Sequence, residues 1–384
     1  MKTLRVICGV VLALQGVCAV AGEPVQDRRD AALVDWLDQA LSPRAGTLSA
    51  PPEGWPVRVQ QQGAGQWQVD LGSGMLQEYP AGQIPAELDE RLQQIRLQLL
   101  LSPRARGGRA GISFRFHGQP LERWFGPEPR VPAYRQLPQV DVVVSASHGR
   151  YFHGGFNDWR LQRPQVNGVV EDLLTPQFAA RLVPLLQADG LRTLLTRPAV
   201  AGQHPRARAP WWEMAARYHA ESRHPDRPDI WRSYADRETP LREYNDDIRT
   251  RPLLANAHGA SALIHLHTNA GGPDASGAMA FVHAQRPQDR RLAHNVLCAV
   301  RQAVQAVPQY RDYRVRVQPL EGNYGENRLA MMPSVLLEIG FHTHPGDAAA
   351  MRDPVFQQAV AQGVRDGHAD FVAGRGEGGA AICQ

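Results

Sequence analysis

From Gln139 onward the chain alternates short apolar runs with longer helical stretches, and that alternation is the strongest constraint on its fold. Val140-Asp-Val-Val-Val-Ser145 is a β-branched run suited to a strand buried on both faces. A helix is expected over Pro176 to Asp189, closed by Gly190, with Pro184 weakening or kinking it. Leu191 to Leu195 reads as the next strand, Leu241 to His258 as a long helix, and Ala262 to His267 as a strand. Ala278 to His283, a helix from Pro287 to Val304, and Val335 to Ile339 complete the series. Such a series predicts an α/β fold: a mixed, mostly parallel sheet with helices on both faces.

Residues 22–130 read differently. A helix over Asp30 to Leu41, strands at Val57 to Gln61 and Trp67 to Leu71, a helix over Leu88 to Leu101 and a strand over Gly111 to Phe116 describe a small α+β unit. A proline-rich linker, 131–138, separates it from a domain expected over 139–374. Within that domain, residues 198–240 form an insertion that carries Trp211, Trp212 and Trp231. These tryptophans would either stack on sugars or pack within a surface subdomain. The Gly-rich end, 375–384, reads as a flexible tail.

The N-terminus predicts export. Lys2 and Arg5 precede an apolar run, Val6 to Val17, too short to span a bilayer. Ala19-Val20-Ala21 then offers small residues for cleavage after Ala21, making 1–21 a signal peptide. A lipid-attachment signal ending at Cys18 fits less well, because Val17 stands where a small residue is wanted. No later segment is apolar enough to be a membrane helix, so no membrane span is expected after signal cleavage. Cleavage would leave only Cys298 and Cys383, which could pair in an oxidising compartment. Neither lies in a CxxC, which argues against a thiolate zinc site.

Composition excludes one class of partner. The net charge of +4 falls to about +2 without Lys2 and Arg5, and the arginines are interspersed with acids, so no nucleic acid is expected.

Four segments carry candidate chemistry. His148-Gly149 lies just past the first buried strand, where open α/β sheets place ligands. Glu171-Asp172 stands shortly before a helix, as a cap or as a ligand. His265 and His267 share one face of their strand, toward a metal or toward solvent. Glu338 lies inside an apolar strand, so it needs an ion-pair partner or serves as a base beside a metal-bound water.

Taken in order, Ser147-His148-Gly149, Glu171-Asp172, Thr196-Arg197, Leu241-Arg-Glu-Tyr-Asn-Asp-Asp-Ile-Arg249, Ile264-His-Leu-His-Thr-Asn-Ala270 and Met332 to Phe341 resemble the zinc-dependent N-acetylmuramoyl-L-alanine amidases, amidase type 3. The resemblance covers about residues 139 to 373. It implies one Zn2+ per chain held by His148, Glu171 and His267, and Glu338 as the catalytic base. His265, Asn269 and Arg197 would support the ligands or bind substrate. It further implies a peptidoglycan substrate, cleavage between N-acetylmuramic acid and L-alanine, and an activator protein as a candidate partner. A lone N-terminal export signal with no obvious wall anchor suggests a Gram-negative periplasm, with secretion from the cell as the alternative. The rival readings are a zinc carboxypeptidase or deacetylase of the wall, suggested by His265-Leu266-His267, and a non-catalytic wall-binding protein. The chain departs from the family pattern at Ala146-Ser147, where Pro-Gly is common, at an extra loop from Tyr151 to Val170, and at His265, His342 and His344. The N-terminal unit resembles a GerMN-type envelope module through Val69-Asp70-Leu71, Ile112-Ser113-Phe114 and His117-Gly118-Gln119-Pro120.

Overall fold

A computed structural model describes residues 25–42, 50–52, 57–63, 66–79, 84–102, 104, 111–125, 137–234, 239–272, 274–377 and 382–383. The expected leader and most of the expected linker lie outside the described residues. Among those described, no helix is long and apolar enough to cross a membrane.

The chain begins with α1 (Val25–Ala40), β1 (Arg58–Gly63), β2 (Gln66–Asp70), α2 (Ala86–Leu101) and β3 (Gly111–Arg115). β1 pairs antiparallel with β2, and β2 parallel with β3. Leu33 and Leu37 of α1, Val69, Ile112 and the α2 stripe Leu88, Leu92, Ile95 and Leu99 form a core contained within residues 33–125. The stripe repeats at helical spacing, which is why this stretch folds as a helix against the three strands.

Then follow β4 (Val142–Ala146), β5 (Tyr151–His153), β6 (Asp158–Arg160), α3 (Glu171–Ala188), β7 (Thr193–Leu195), α4 (Ala216–Arg223), α5 (Pro228–Trp231) and α6 (Arg242–Ala257). The chain continues through β8 (Ala262–Asn269), β9 (Met279–Val282), α7 (Pro287–Gln305), β10 (Leu320–Glu321), α8 (Gly325–Arg328), β11 (Ser334–Phe341), α9 (Pro345–Arg352) and α10 (Pro354–Val372). Six strands form one sheet in the order β10-β9-β11-β8-β4-β7. Only the β9–β11 pair is antiparallel. The sheet is therefore mixed and mostly parallel, as the alternation of elements predicts.

Side chains alternate across it. Val142, Val144, Ile264, Leu266, Val335, Leu337 and Ile339 face a layer of α3, α7 and α10. Val143 and Leu263 face the other side, with Ala255 of α6. Leu336 faces that side too, with Leu97 of α2. Two glycines on α10 set the spacing of the first layer. A Cβ at Gly363 would come within 2.5 Å of Val300 Cα, and one at Gly367 within 2.5 Å of Val296 Cα, so α10 lies directly on the α7 backbone.

One local expectation needs correction, and two others gain detail. α3 starts at Glu171 rather than Pro176, so Glu171 and Asp172 stand in its first turn. It also runs through Pro176 and Pro184 to Ala188, held by its apolar face. The extra loop contains a two-stranded hairpin, β5–β6. Cys298 on α7 and Cys383 are disulfide-bonded, with their Cα atoms 5.9 Å apart, which ties Cys383 to the domain.

Candidate active site

Where β4 leaves the sheet the chain turns through two left-handed residues, His148 (φ 56°) and Gly149 (φ 122°). A Cβ at Gly149 would sit 2.8 Å from Ala215 Cα and N and 3.0 Å from Arg197 Cζ. Asp172 holds the same turn: its Oδ1 accepts from Gly149 N at 2.8 Å and from Gln162 N at 2.7 Å, and its Oδ2 from Arg163 N at 3.0 Å. Arg197 is buried and donates to Met214 O, Ser147 O and Asp172 O at 2.9, 2.5 and 2.8 Å. It therefore clamps the backbone beside His148 and Glu171, and its burial leaves no face for a substrate. Gly149→Ala is expected to cost about 1–3 kcal/mol in folding stability, because backbone atoms cannot yield as a side chain can and φ 122° strains any Cβ. Thermal melting checks this, and an unchanged midpoint would show that the turn relaxes.

The turn delivers His148 to the C-terminal ends of β8 and β11, where His267 and Glu338 pair in register. Glu171 arrives from the first turn of α3. One donor atom from each of His148, Glu171 and His267 lies within 4.8 Å of the others. His148 Nε2 is 3.3 Å and His267 Nδ1 3.2 Å from Glu171 Oε1. That oxygen also accepts from Ser147 Oγ at 2.9 Å and Thr268 N at 3.1 Å. The three are 1–5% exposed and Glu338 is 4% exposed.

Electrostatics inside this cluster are strained. Burial alone would raise the Glu171 carboxyl, but His148 and His267 hold it well below the usual range. Burial alone would lower His267, but Glu326 and Glu171 lift it to about 10. Burial pushes Glu338 up to about 8, with Glu171 and Glu326 adding to the rise and His267 and Arg163 opposing it. Glu338 Oε2 is buried without a hydrogen-bond partner. Two imidazole nitrogens and a carboxylate oxygen suit zinc, and three protein ligands leave a fourth position free. A cation there would also relieve the crowding of carboxylates. The residues present therefore fit a metal ion.

The other expected residues take different places. His265 shares a strand face with His267, but its Nδ1 lies 3.4 Å from Glu326 Oε1, and it is fully buried. Asn269 Oδ1 accepts from Ala270 N at 2.8 Å and lies 3.4 Å from Gln94 Nε2 of α2. His342 Nδ1 bonds Thr268 Oγ1 at 2.9 Å, and His344 caps α9 by accepting from Asp347 N at 3.2 Å. Glu326 is the residue that sequence reasoning missed. It lies on α8, a single turn without periodicity to mark it. In the insertion, Trp211 packs against His204 and His219, and Trp231 donates to His224 O, while Trp212 stays 37% exposed.

α2 lies over this cluster. Arg163 NH2 is 2.6 Å from Glu90 Oε2, and the same guanidinium's Nε is 3.9 Å from Glu171 Oε2. Tyr244 donates to Glu90 at 2.5 Å, Asn245 Oδ1 accepts from Ala86 N at 2.6 Å, and Arg328 NH1 donates to Asp89 at 2.5 Å. Leu97 packs among Ala275, Met279, Phe281, Tyr324, Leu336 and Phe341. α2 thus buries one stripe in the N-terminal core and a second surface against the catalytic domain beside the histidine–carboxylate cluster.

That seating is expected to depend on pH. Burial pushes Glu87 of α2 up to about 7, against the pull of its own backbone N–H and of Asn245, and its Oε2 has no partner. A carboxyl whose seated pKa is raised favours the seated state below its ordinary value and loses that contribution as pH rises through about 7. Hydrogen exchange of α2 should be faster, relative to the intrinsic rate, at pH 8.5 than at pH 5.5, and nearly flat in Glu87→Gln. Equal protection at both pH values in the unaltered protein would contradict this.

A mixed α/β sheet that gathers two histidines, a helix-borne carboxylate and a strand carboxylate around β8 and β11 has the framework of a hydrolase whose site could hold a metal ion. The family model described as N-acetylmuramoyl-L-alanine amidase matches residues 142–369, and the chain belongs to that family, amidase type 3. Among curated proteins it is similar to YqiI of Bacillus subtilis (strain 168), 28% identical over 134 residues, which are 33% of this chain and 61% of that protein. The chain thus spans less than two thirds of that relative. Among solved structures it is similar to the N-acetylmuramoyl-L-alanine amidase of Clostridium difficile 630, at 18% identity and TM-score 0.40 over 62% of this chain and 100% of that one. It is also similar to Ami1 of Mycobacterium smegmatis, at 16% identity and TM-score 0.42 over 62% and 99%. Overlaps at that level add nothing to the sequence match, on which membership rests.

Proposed function

We propose that the protein hydrolyses the amide joining the lactyl group of N-acetylmuramic acid to L-alanine in peptidoglycan, with His148, Glu171 and His267 holding one Zn2+ and Glu338 as general base. The observation that carries this reading is the buried convergence of these three donors beside a carboxyl oxygen that has no partner. Zinc bound there would supply a Lewis acid that polarises the scissile carbonyl and acidifies a water. Glu338 takes a proton from the attacking water as its oxygen bonds to the carbonyl carbon. As the C–N bond breaks, Glu338 returns that proton to the nitrogen of the departing L-alanine amine, leaving a lactyl carboxylate. Ser147 and Thr268 keep Glu171 fixed while this happens, through their bonds to its Oε1.

The division into an N-terminal unit (22–130) and a catalytic domain (139–374) is part of the proposal and is supported by their separate cores. So is export to a Gram-negative periplasm after cleavage at Ala21, since the substrate lies outside the cytoplasmic membrane. The seat of α2 over the cluster supports the reading that a partner protein activates the enzyme by displacing it.

Incubation of the mature protein with peptidoglycan, with and without a chelator, tests the reading by mass spectrometry of the products. Intact stem peptides with a free L-alanine amine are expected, lost on chelation and restored by zinc. Shortened peptides or deacetylated sugars would move the activity to the carboxypeptidase or deacetylase alternatives. No product from a protein whose α2 has been loosened would favour a wall-binding protein.

A further inference from the structure

The outer ring nitrogens of the two histidines, Nδ1 of His148 and Nε2 of His267, reach opposite ends of one largely buried polar chain. His148 Nδ1 lies 2.9 Å from Gln162 Oε1, and Gln162 Nε2 donates to Asp247 Oδ2 at 2.9 Å. Asp247 is ion-paired with Arg251, one turn later on α6. Arg251 NH1 donates to Glu326 Oε1 at 2.5 Å, and Glu326 Oε2 lies 3.1 Å from His267 Nε2. Asp247, Arg251 and Glu326 are at most 1% exposed.

The chain has one consistent direction. An Asp247 carboxylate only accepts, so Gln162 turns its amide nitrogen to Asp247 and its oxygen to His148. His148 Nδ1 must then donate, which leaves the lone pair on Nε2, the nitrogen that faces Glu171. At the other end the Glu326 carboxylate accepts from His267 Nε2, which leaves Nδ1 for Glu171 and a metal. Partners of this kind fix ring orientation and tautomer at metal-ligating histidines.

We propose that Gln162, Asp247, Arg251 and Glu326 form one relay that sets the tautomers of His148 and His267, so that the first presents Nε2 and the second Nδ1 to the metal, and that Gln162 and Glu326 are positioning residues. This rests on the metal reading above. Gln162 comes from the extra loop and Glu326 from the one-turn helix α8, and α6 joins them.

The test uses the full mature chain and zinc alone. Zinc affinity is measured by competition with a chromogenic chelator for the unaltered protein, Gln162→Leu and Glu326→Gln, with melting of the metal-free proteins as a folding control. Each variant is expected to bind zinc about 10–100-fold more weakly. Imidazole 15N spectra of the zinc-loaded protein should show one histidine coordinated through Nε2 and one through Nδ1, with the Nδ1–H signal of His148 displaced in Gln162→Leu. Gln162 is only half-buried, so that variant folds even if Glu326→Gln does not. An unaltered protein that binds no zinc would remove the metal reading and this inference with it. Zinc binding by the unaltered protein and equally tight binding by both variants would overturn the inference alone, as would coordination of His148 through Nδ1.

Discussion

Glu338→Gln is expected to lower turnover on peptidoglycan by about 10²–10⁴-fold, the contribution of a positioned general base, while the protein still binds one equivalent of zinc. Gln keeps the shape of the side chain, so strand β11 and its register with β8 should survive. What it removes is the group that shuttles a proton between water and the leaving amine. Burial pushes Glu338 up to about 8, and a dication held by its neighbours would draw that value down. His267→Ala is the contrasting variant, expected to lose zinc and turnover together. Zinc content by elemental analysis beside the release of L-alanine amines separates the two cases. Unchanged turnover in Glu338→Gln would sink the base assignment.

Leu97→Ala should act in the opposite direction and raise turnover. Leu97 is 1% exposed, and its neighbours belong to the catalytic sheet and to Tyr324 rather than to the N-terminal core. Truncating a buried leucine costs about 2–5 kcal/mol, and here the cost falls on the seated form of α2. Since about 1.4 kcal/mol is tenfold in an equilibrium, the population with an open cluster should grow on the order of 100-fold. Turnover follows it until chemistry becomes limiting. Leu92→Ala is the control, because Leu92 lies on the stripe that faces the N-terminal core. Equal turnover in Leu97→Ala and the unaltered protein would show that α2 does not gate the site.

Much of this architecture can be read from the chain, for identifiable reasons. Val140 to Ser145 announces a strand because β-branched residues at consecutive positions suit burial on two faces. His265 and His267 share a face because strand periodicity is two, but periodicity could not say which of them joins His148, and the fold separates them by only one side-chain step. The start of α3 was misplaced because Pro176 looks like a first-turn proline, whereas it lies a turn and a half inside a helix whose apolar face holds it. Glu326 had no signal at all: four residues of helix carry no pattern, and its role comes from His265, His267 and Arg251, all distant in sequence. The double duty of α2 was hidden for a related reason. Leu88, Leu92, Ile95 and Leu99 account for one buried stripe, and Leu97 standing off it looks like an ordinary surface leucine until the second surface is seen.

Gly363 and Gly367 bear on how such a molecule can move. With no side chain at Gly363 or Gly367, the α10 backbone presses against α7 at Val300 and Val296 like a plank glued to its neighbour, and the sheet rests on that base. On the opposite side α2 is fastened by separable latches: the guanidiniums of Arg163 and Arg328, the amides of Asn245 and Gln94, and Leu97. Any breathing that admits a bulky glycan strand must then be lopsided, with the floor staying still while the roof lifts. A cross-link between α2 and α6 should therefore silence the protein, whereas one between α7 and α10 should pass unnoticed.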